Sequence, residues 1–174
     1  MKQTRFFLVY LILLIVQICI FNYFRLSQFV VLSILPVMVL LIPIRNSTTT
    51  AMIIAFLSGL AVDFLSDGLL GLNTMALVPV AFARNGIIRL VCGSEIFARE
   101  EDITIPKQGL WNMSIAITMA LGLYLLIYVW ADAAGTRPFW FCLARFGASL
   151  LASALVSLFA ADILATDRTS GSRR

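Results

Sequence analysis

The chain has 174 residues, of which 61% are hydrophobic and only 13% are charged. Soluble domains average roughly 45–50% apolar and about 25% charged residues. A soluble domain of this size has too little interior to hide so many apolar side chains from water. The composition therefore excludes a globular cytosolic enzyme and a nucleic-acid-binding protein. The formal charge of +4 comes mostly from basic residues beside hydrophobic runs, where they report membrane topology.

Six apolar segments are predicted to be membrane-spanning helices, because a hydrocarbon core of roughly 30 Å needs about 20 helical residues. Pro36 is expected to kink the second of them, as a proline in a membrane span can. The sequence thus predicts an all-α, polytopic fold with one transmembrane domain over 1–165 and a disordered cytoplasmic tail over 166–174. The six segments are about Phe6–Tyr23, Gln28–Ile44, Thr50–Leu65, Leu72–Val91, Gly109–Ala131 and Phe139–Leu164.

Basic residues concentrate on one side of this arrangement. With six helices and a cytoplasmic N-terminus, ten basic residues fall on the inner side, and two, Arg25 and Arg137, fall on the outer side. Cytoplasmic loops of membrane proteins carry an excess of Lys and Arg. The pattern predicts a multi-pass membrane protein with both termini in the cytoplasm. The inner set is Lys2, Arg5, Arg45, Arg84, Arg89, Arg99, Lys107, Arg168, Arg173 and Arg174.

Two predicted helices carry residues at every fourth position that would form stripes on one face. Small residues at this spacing let helix backbones approach closely in lipid. Because the two helices run antiparallel and each stripe has its charge near the outer side, we expect an ion pair between Asp63 and Arg145. Asp63 could instead cap a helix end, or bind a partner or a transported ligand. The stripes are Ala51, Ala55, Gly59 and Asp63 on the third helix and Arg145, Ser149, Ser153 and Ser157 on the sixth.

The fourth predicted helix and the turn before it hold further candidates. Arg89 can reach the membrane surface with its long side chain. Arg84 lies deeper and is expected to anchor the helix, or to bind a neighbouring carbonyl, a lipid headgroup or a partner. Gly68 and Gly71 can supply positive-φ turn positions, and Asn73 can cap the fourth helix.

No arrangement of residues typical of a catalytic or metal site is present in the sequence. Histidine is absent, which removes the commonest general base and the commonest metal ligand. The three cysteines are widely spaced and form no C-x-x-C pair. We therefore expect a protein that is not an enzyme and that carries no cofactor.

The segment Gly59–Leu77 resembles the signature of the MreD family of rod shape-determining membrane proteins. The family pattern is G-x-x-x-D, a glycine-containing turn, a second glycine eight residues after the aspartate, and an apolar span ending in arginine. In this chain, these positions are Gly59, Asp63, Gly71 and Arg84. The length and the predicted number of spans agree with the same family.

The resemblance implies a fold like the six-helix substrate-binding components of energy-coupling-factor transporters. It implies a non-catalytic scaffold of the bacterial cell-elongation complex, located in the bacterial cytoplasmic membrane among its lipids. The implied partners are MreC, the MreB cytoskeleton and the RodA–transpeptidase synthase. The residues with a structural or partner-binding role would be Gly59, Asp63, Gly71 and Arg84, together with Arg145. The alternative is a substrate-binding component of an energy-coupling-factor-type transporter, which should present a pocket on the outer side with several convergent polar groups.

Overall fold

The computed structural model describes residues 2–23, 30–43, 46–66, 70–93, 110–133 and 138–170. This part of the chain is all-α, as predicted. Its six helices are α1 (Lys2–Tyr23), α2 (Leu35–Leu40), α3 (Thr48–Leu65), α4 (Leu72–Cys92), α5 (Leu110–Ala133) and α6 (Phe139–Ser170).

Five of these helices, all except α2, are long and apolar enough to cross a membrane. Large apolar side chains remain exposed around the bundle, among them Leu8 on α1, Phe56 on α3 and Leu151 on α6. Such exposure would be unfavourable in water and is what lipid-facing helices require. Five apolar helices with exposed apolar faces are the features expected of a multi-pass membrane protein.

The second predicted helix is where the structure departs most from the sequence analysis. In place of a long helix, residues 31–34 have no regular secondary structure and α2 has only six residues. Pro36 does not kink a helix; it lies in the first turn of α2, where its missing N–H would have had no helical partner. Every residue of α2 is buried. This short helix contacts all five long helices, so the core is built around it.

The four long helices from α3 to α6 form antiparallel neighbours in chain order. The α3 helix packs most extensively on α4, α4 also packs on α5, and α5 on α6, while α1 contacts α6 and α3. At one end of the bundle, α1, α3 and α5 end and α4 and α6 begin. We call this end the hairpin end. The prediction from basic residues would place the hairpin end outside the cell.

Some predicted features fall outside the described residues. Gly68 and most of the inner connection between Cys92 and Gln108 belong to this set. At the C-terminus, α6 extends to Ser170. The helix therefore includes residues 166–170, which the sequence assigned to a disordered tail.

Candidate functional site

Asp63 lies in the last turn of α3 and is almost completely buried, with 1% of its surface exposed. One carboxylate oxygen, Oδ1, accepts hydrogen bonds from the backbone N–H and the side-chain amide of Asn73, at 3.0 and 2.9 Å. The other, Oδ2, accepts from the backbone N–H and the hydroxyl of Thr74, at 3.0 and 2.7 Å. The first N–H groups of a helix have no partner inside it, and a negative charge is favoured there. Asp63 therefore caps α4 from the neighbouring helix.

Two glycines make this cap possible. A side-chain Cβ at Gly59 would lie 2.7 Å from Cα of Thr74, so only glycine lets α3 approach α4 this closely. Gly71, immediately before α4, has a φ of 91°, a left-handed conformation that favours glycine. We call Gly59, Asp63, Gly71, Asn73 and Thr74 together the Asp63 junction.

Asn73 has a different role from the predicted one. It does not cap its own helix; the α4 N-cap is Gly71, and the capping oxygens belong to Asp63. The Asn73 side chain instead connects three helices. It donates to Asp63 on α3 and accepts a hydrogen bond from the hydroxyl of the buried Tyr124 on α5.

The predicted ion pair between Asp63 and Arg145 is wrong. Arg145 forms its salt bridge with Asp132, near the end of α5. Asp63 already accepts four hydrogen bonds from the start of α4, two of them from backbone N–H groups, and so has charge compensation without a cation. Gly59 of the α3 stripe lies against α4, and Ser149 and Ser153 of the α6 stripe bind the chain that precedes α2.

Two serines of the α6 stripe, Ser149 and Ser153, bind the non-helical backbone before α2. Ser149 Oγ accepts the N–H of Val31 at 2.8 Å. Ser153 Oγ accepts the N–H of Ser33 at 3.1 Å and donates to the carbonyl of Val31 at 3.0 Å. Backbone groups without partners are costly inside a membrane protein, because no bulk water can replace them. The serine stripe thus supplies hydrogen bonds that a continuous helix would have supplied itself.

Gln17 on α1 completes this set from the opposite side. Its Nε2 donates to the carbonyl of Leu32 at 3.1 Å, and its Oε1 accepts the N–H of Ile34 at 2.6 Å. The side chain is fully buried. A single amide that offers one donor and one acceptor can therefore satisfy two neighbouring peptide groups of the extended chain.

Arg84 binds backbone groups at the other end of α2, its C-terminal end. Its guanidinium is fully buried, and Nε donates to the carbonyl of Leu40 at 3.1 Å while Nη2 donates to the carbonyl of Ile42. The last carbonyls of a helix have no helical partner, and a cation is favoured beside them. Of the alternatives open from the sequence, Arg84 binds neighbouring carbonyls.

These contacts join helices to one another and satisfy backbone groups at helix ends. Within the described ranges, no three His, Cys, Asp or Glu residues lie close enough together to hold a metal ion. Gly59, Asp63 and Gly71 meet at one helix contact, whereas Arg84 serves α2 and Arg145 pairs with Asp132. No protein-family model matches the chain, and no curated protein or solved structure matches it either.

Proposed function

We propose that this chain is a non-catalytic integral membrane scaffold of the MreD type, acting in the bacterial complex that guides lateral peptidoglycan synthesis and cell shape. The observation that supports this best is the Asp63 junction. Three of the four residues that carry the MreD resemblance, Gly59, Asp63 and Gly71, meet at a single helix contact. Residues that are separated in the sequence pattern thereby share one structural role, the contact between α3 and α4.

On this proposal, the chain binds MreC and, through the same complex, the MreB cytoskeleton and the RodA–transpeptidase synthase. A scaffold needs a rigid interior and a wide outer surface for membrane partners. The buried polar side chains of the described bundle bind mainly backbone groups and helix ends, which favours rigidity. The exposed apolar faces of α1, α3 and α6 offer the surface.

The same proposal includes six membrane crossings with both termini in the cytoplasm, in a layout similar to that of energy-coupling-factor substrate-binding components. The segment 30–43 would be the sixth crossing. At its start, Val31 bonds to Ser149 in the half of the bundle nearer the hairpin end. At its end, Ile42 bonds to Arg84, twelve residues beyond the start of α4. Its two ends are thus held by different helices, α6 and α4.

Affinity purification of the tagged chain from native bacterial membranes, followed by mass spectrometry, tests the function. We expect MreC among the specific partners, and we expect Asp63→Ala to lose it because the α3–α4 hairpin no longer holds its geometry. The neighbouring Phe64→Ala is the matched control, since Phe64 is exposed and makes no such bonds. Recovery of a pair of transporter ATPases in place of MreC would contradict the scaffold and support the transporter component.

A further inference from the structure

The hairpin end holds a second polar cluster, which the Asp63 junction does not use. It consists of Phe21 on α1, Tyr128 and Asp132 on α5, and Arg145 on α6, and we call it the Arg145 cluster. Nη1 of Arg145 donates to Oδ2 of Asp132. The Asp132 side chain keeps 25% of its surface exposed, and that of Arg145 keeps 11%. The cluster is thus nearly buried, with Asp132 on its more open side.

Arg145 keeps hydrogen-bonding capacity that Asp132 does not use. Its Nε is buried and has no hydrogen-bond partner in the part of the chain that the structure describes. A guanidinium carries five N–H donors, and a buried charged donor without a partner is costly. Arg84, the other buried arginine, directs its Nε to a backbone carbonyl. Unlike Nε of Arg84, Nε of Arg145 has no partner among the described residues and can donate to a bound group.

Aromatic rings border the same cluster. The ring of Tyr128 stacks on that of Tyr124 at a centroid distance of 5.7 Å and lies 6.5 Å from that of Phe21. Tyr128 precedes Asp132 by four positions on α5, which puts the two side chains on one face of that helix. The cluster therefore combines a cation with an apolar aromatic surface.

We propose that the Arg145 cluster is a binding site for an anionic group, a phosphate or a carboxylate, attached to an apolar body. Nε lies on the guanidinium edge that donates two parallel N–H bonds, the geometry that carboxylates and phosphates accept. Asp132 holds the other side of the guanidinium and fixes its orientation, while the aromatic rings contact the apolar part. The anion can come from a phospholipid headgroup or from a soluble small molecule.

The test compares anion binding by purified full-length protein and three variants in dodecyl maltoside. The probes are dioleoyl phosphatidylglycerol, dioleoyl phosphatidylcholine as the zwitterionic lipid, and sodium phosphate against sodium chloride of equal ionic strength. Retained lipid is read by native mass spectrometry and bound phosphate by the shift in unfolding temperature. Arg145→Lys keeps the charge beside Asp132 but lacks the parallel N–H pair, and Arg89→Lys, at the opposite end of the bundle, is its matched control.

We expect Arg145→Lys to weaken anion binding about tenfold, as the loss of one charged hydrogen bond predicts, and Arg89→Lys to leave it unchanged. Asp132→Asn should strengthen binding, because it removes a negative charge next to the anion. Selective retention of phosphatidylglycerol assigns a lipid headgroup, whereas a phosphate-specific shift assigns a soluble anion. Equal binding by the wild type and Arg145→Lys, or weaker binding by Asp132→Asn, would overturn the proposal.

Discussion

Removal of the Asp63 carboxylate should be among the most destabilising single changes in the bundle. In Asp63→Ala, the backbone N–H groups of Asn73 and Thr74 lose their acceptors in a buried site. Each unsatisfied buried donor costs about 1–3 kcal/mol, and the lost cap costs about 0.5–2 kcal/mol. Since these contributions overlap, we expect the free energy of unfolding to fall by about 3–5 kcal/mol, as for removal of one partner of a buried charge.

Asp63→Asn removes the negative charge of the side chain and keeps its shape, so it measures the two contributions separately. Both carboxylate oxygens accept two hydrogen bonds, so either orientation of an amide turns its NH₂ toward two donors. We therefore expect Asn to recover little of the loss, about 1 kcal/mol at most. The control is Phe64→Ala, because Phe64 is 77% exposed and its removal should change stability by less than about 0.5 kcal/mol.

The assay is reversible unfolding in mixed micelles, followed by circular dichroism. A double-mutant cycle with Tyr124→Phe adds a check on the network, because Tyr124 reaches Asp63 only through Asn73. We expect the two losses to be coupled by about 0.5–3 kcal/mol. Asp63→Ala combined with Arg145→Ala should instead give nearly additive losses, since the two side chains share no hydrogen bond. An Asp63→Asn protein as stable as the wild type would refute the capping role.

Three further substitutions test the packing and the polar contacts, with unfolding in the same micelles as the measurement. Gly59→Ala should lower the free energy of unfolding by about 1–3 kcal/mol, because the new Cβ would lie 2.7 Å from the α4 backbone. Gly86→Ala is the control, since Gly86 has open space around it and the change should be neutral or slightly stabilising. Ser153→Ala should lower the free energy of unfolding by about 1–3 kcal/mol and speed amide hydrogen exchange in the backbone before α2. Ser157→Ala is its matched control, since the buried hydroxyl of Ser157 has no hydrogen-bond partner in the described residues. Equal losses for the two serines would contradict the backbone-binding role. Arg84→Met should cost about 3 kcal/mol or more by leaving the carbonyls at the end of α2 without a donor, and a wild-type stability would refute that role.

The five long helices were predictable because hydropathy and length alone define a membrane span. The short α2 was not predictable in the same way. Hydropathy counts apolar side chains and does not report whether the backbone that carries them is helical. The signals for the break lay elsewhere in the chain, in Gln17 on α1 and in the serines of α6, which bind the backbone of residues 31–34. A buried polar stripe in a membrane helix can thus indicate irregular backbone opposite it.

The wrong partner for Asp63 has a similar origin. Periodicity gives the face on which a residue lies but not the helix that the face meets. The predicted fifth helix ended at Ala131, which left Asp132 in a loop, whereas α5 continues to Ala133. The two additional helical residues include Asp132, the partner of Arg145. Arg145 and Asp132 lie thirteen positions apart across one short connection, a spacing that favours contact between antiparallel neighbours.

Two of the buried charges in this bundle are compensated by helix ends rather than by opposite charges. Asp63 meets the N-terminus of α4, and Arg84 meets the C-terminus of α2. A helix end carries roughly half an elementary charge of the required sign. It can exist inside a membrane protein only where the chain breaks. The breaks at Gly71 and after Leu40 create the partial charges that make these two residues tolerable in lipid. The two residues in turn satisfy the backbone groups that these breaks expose.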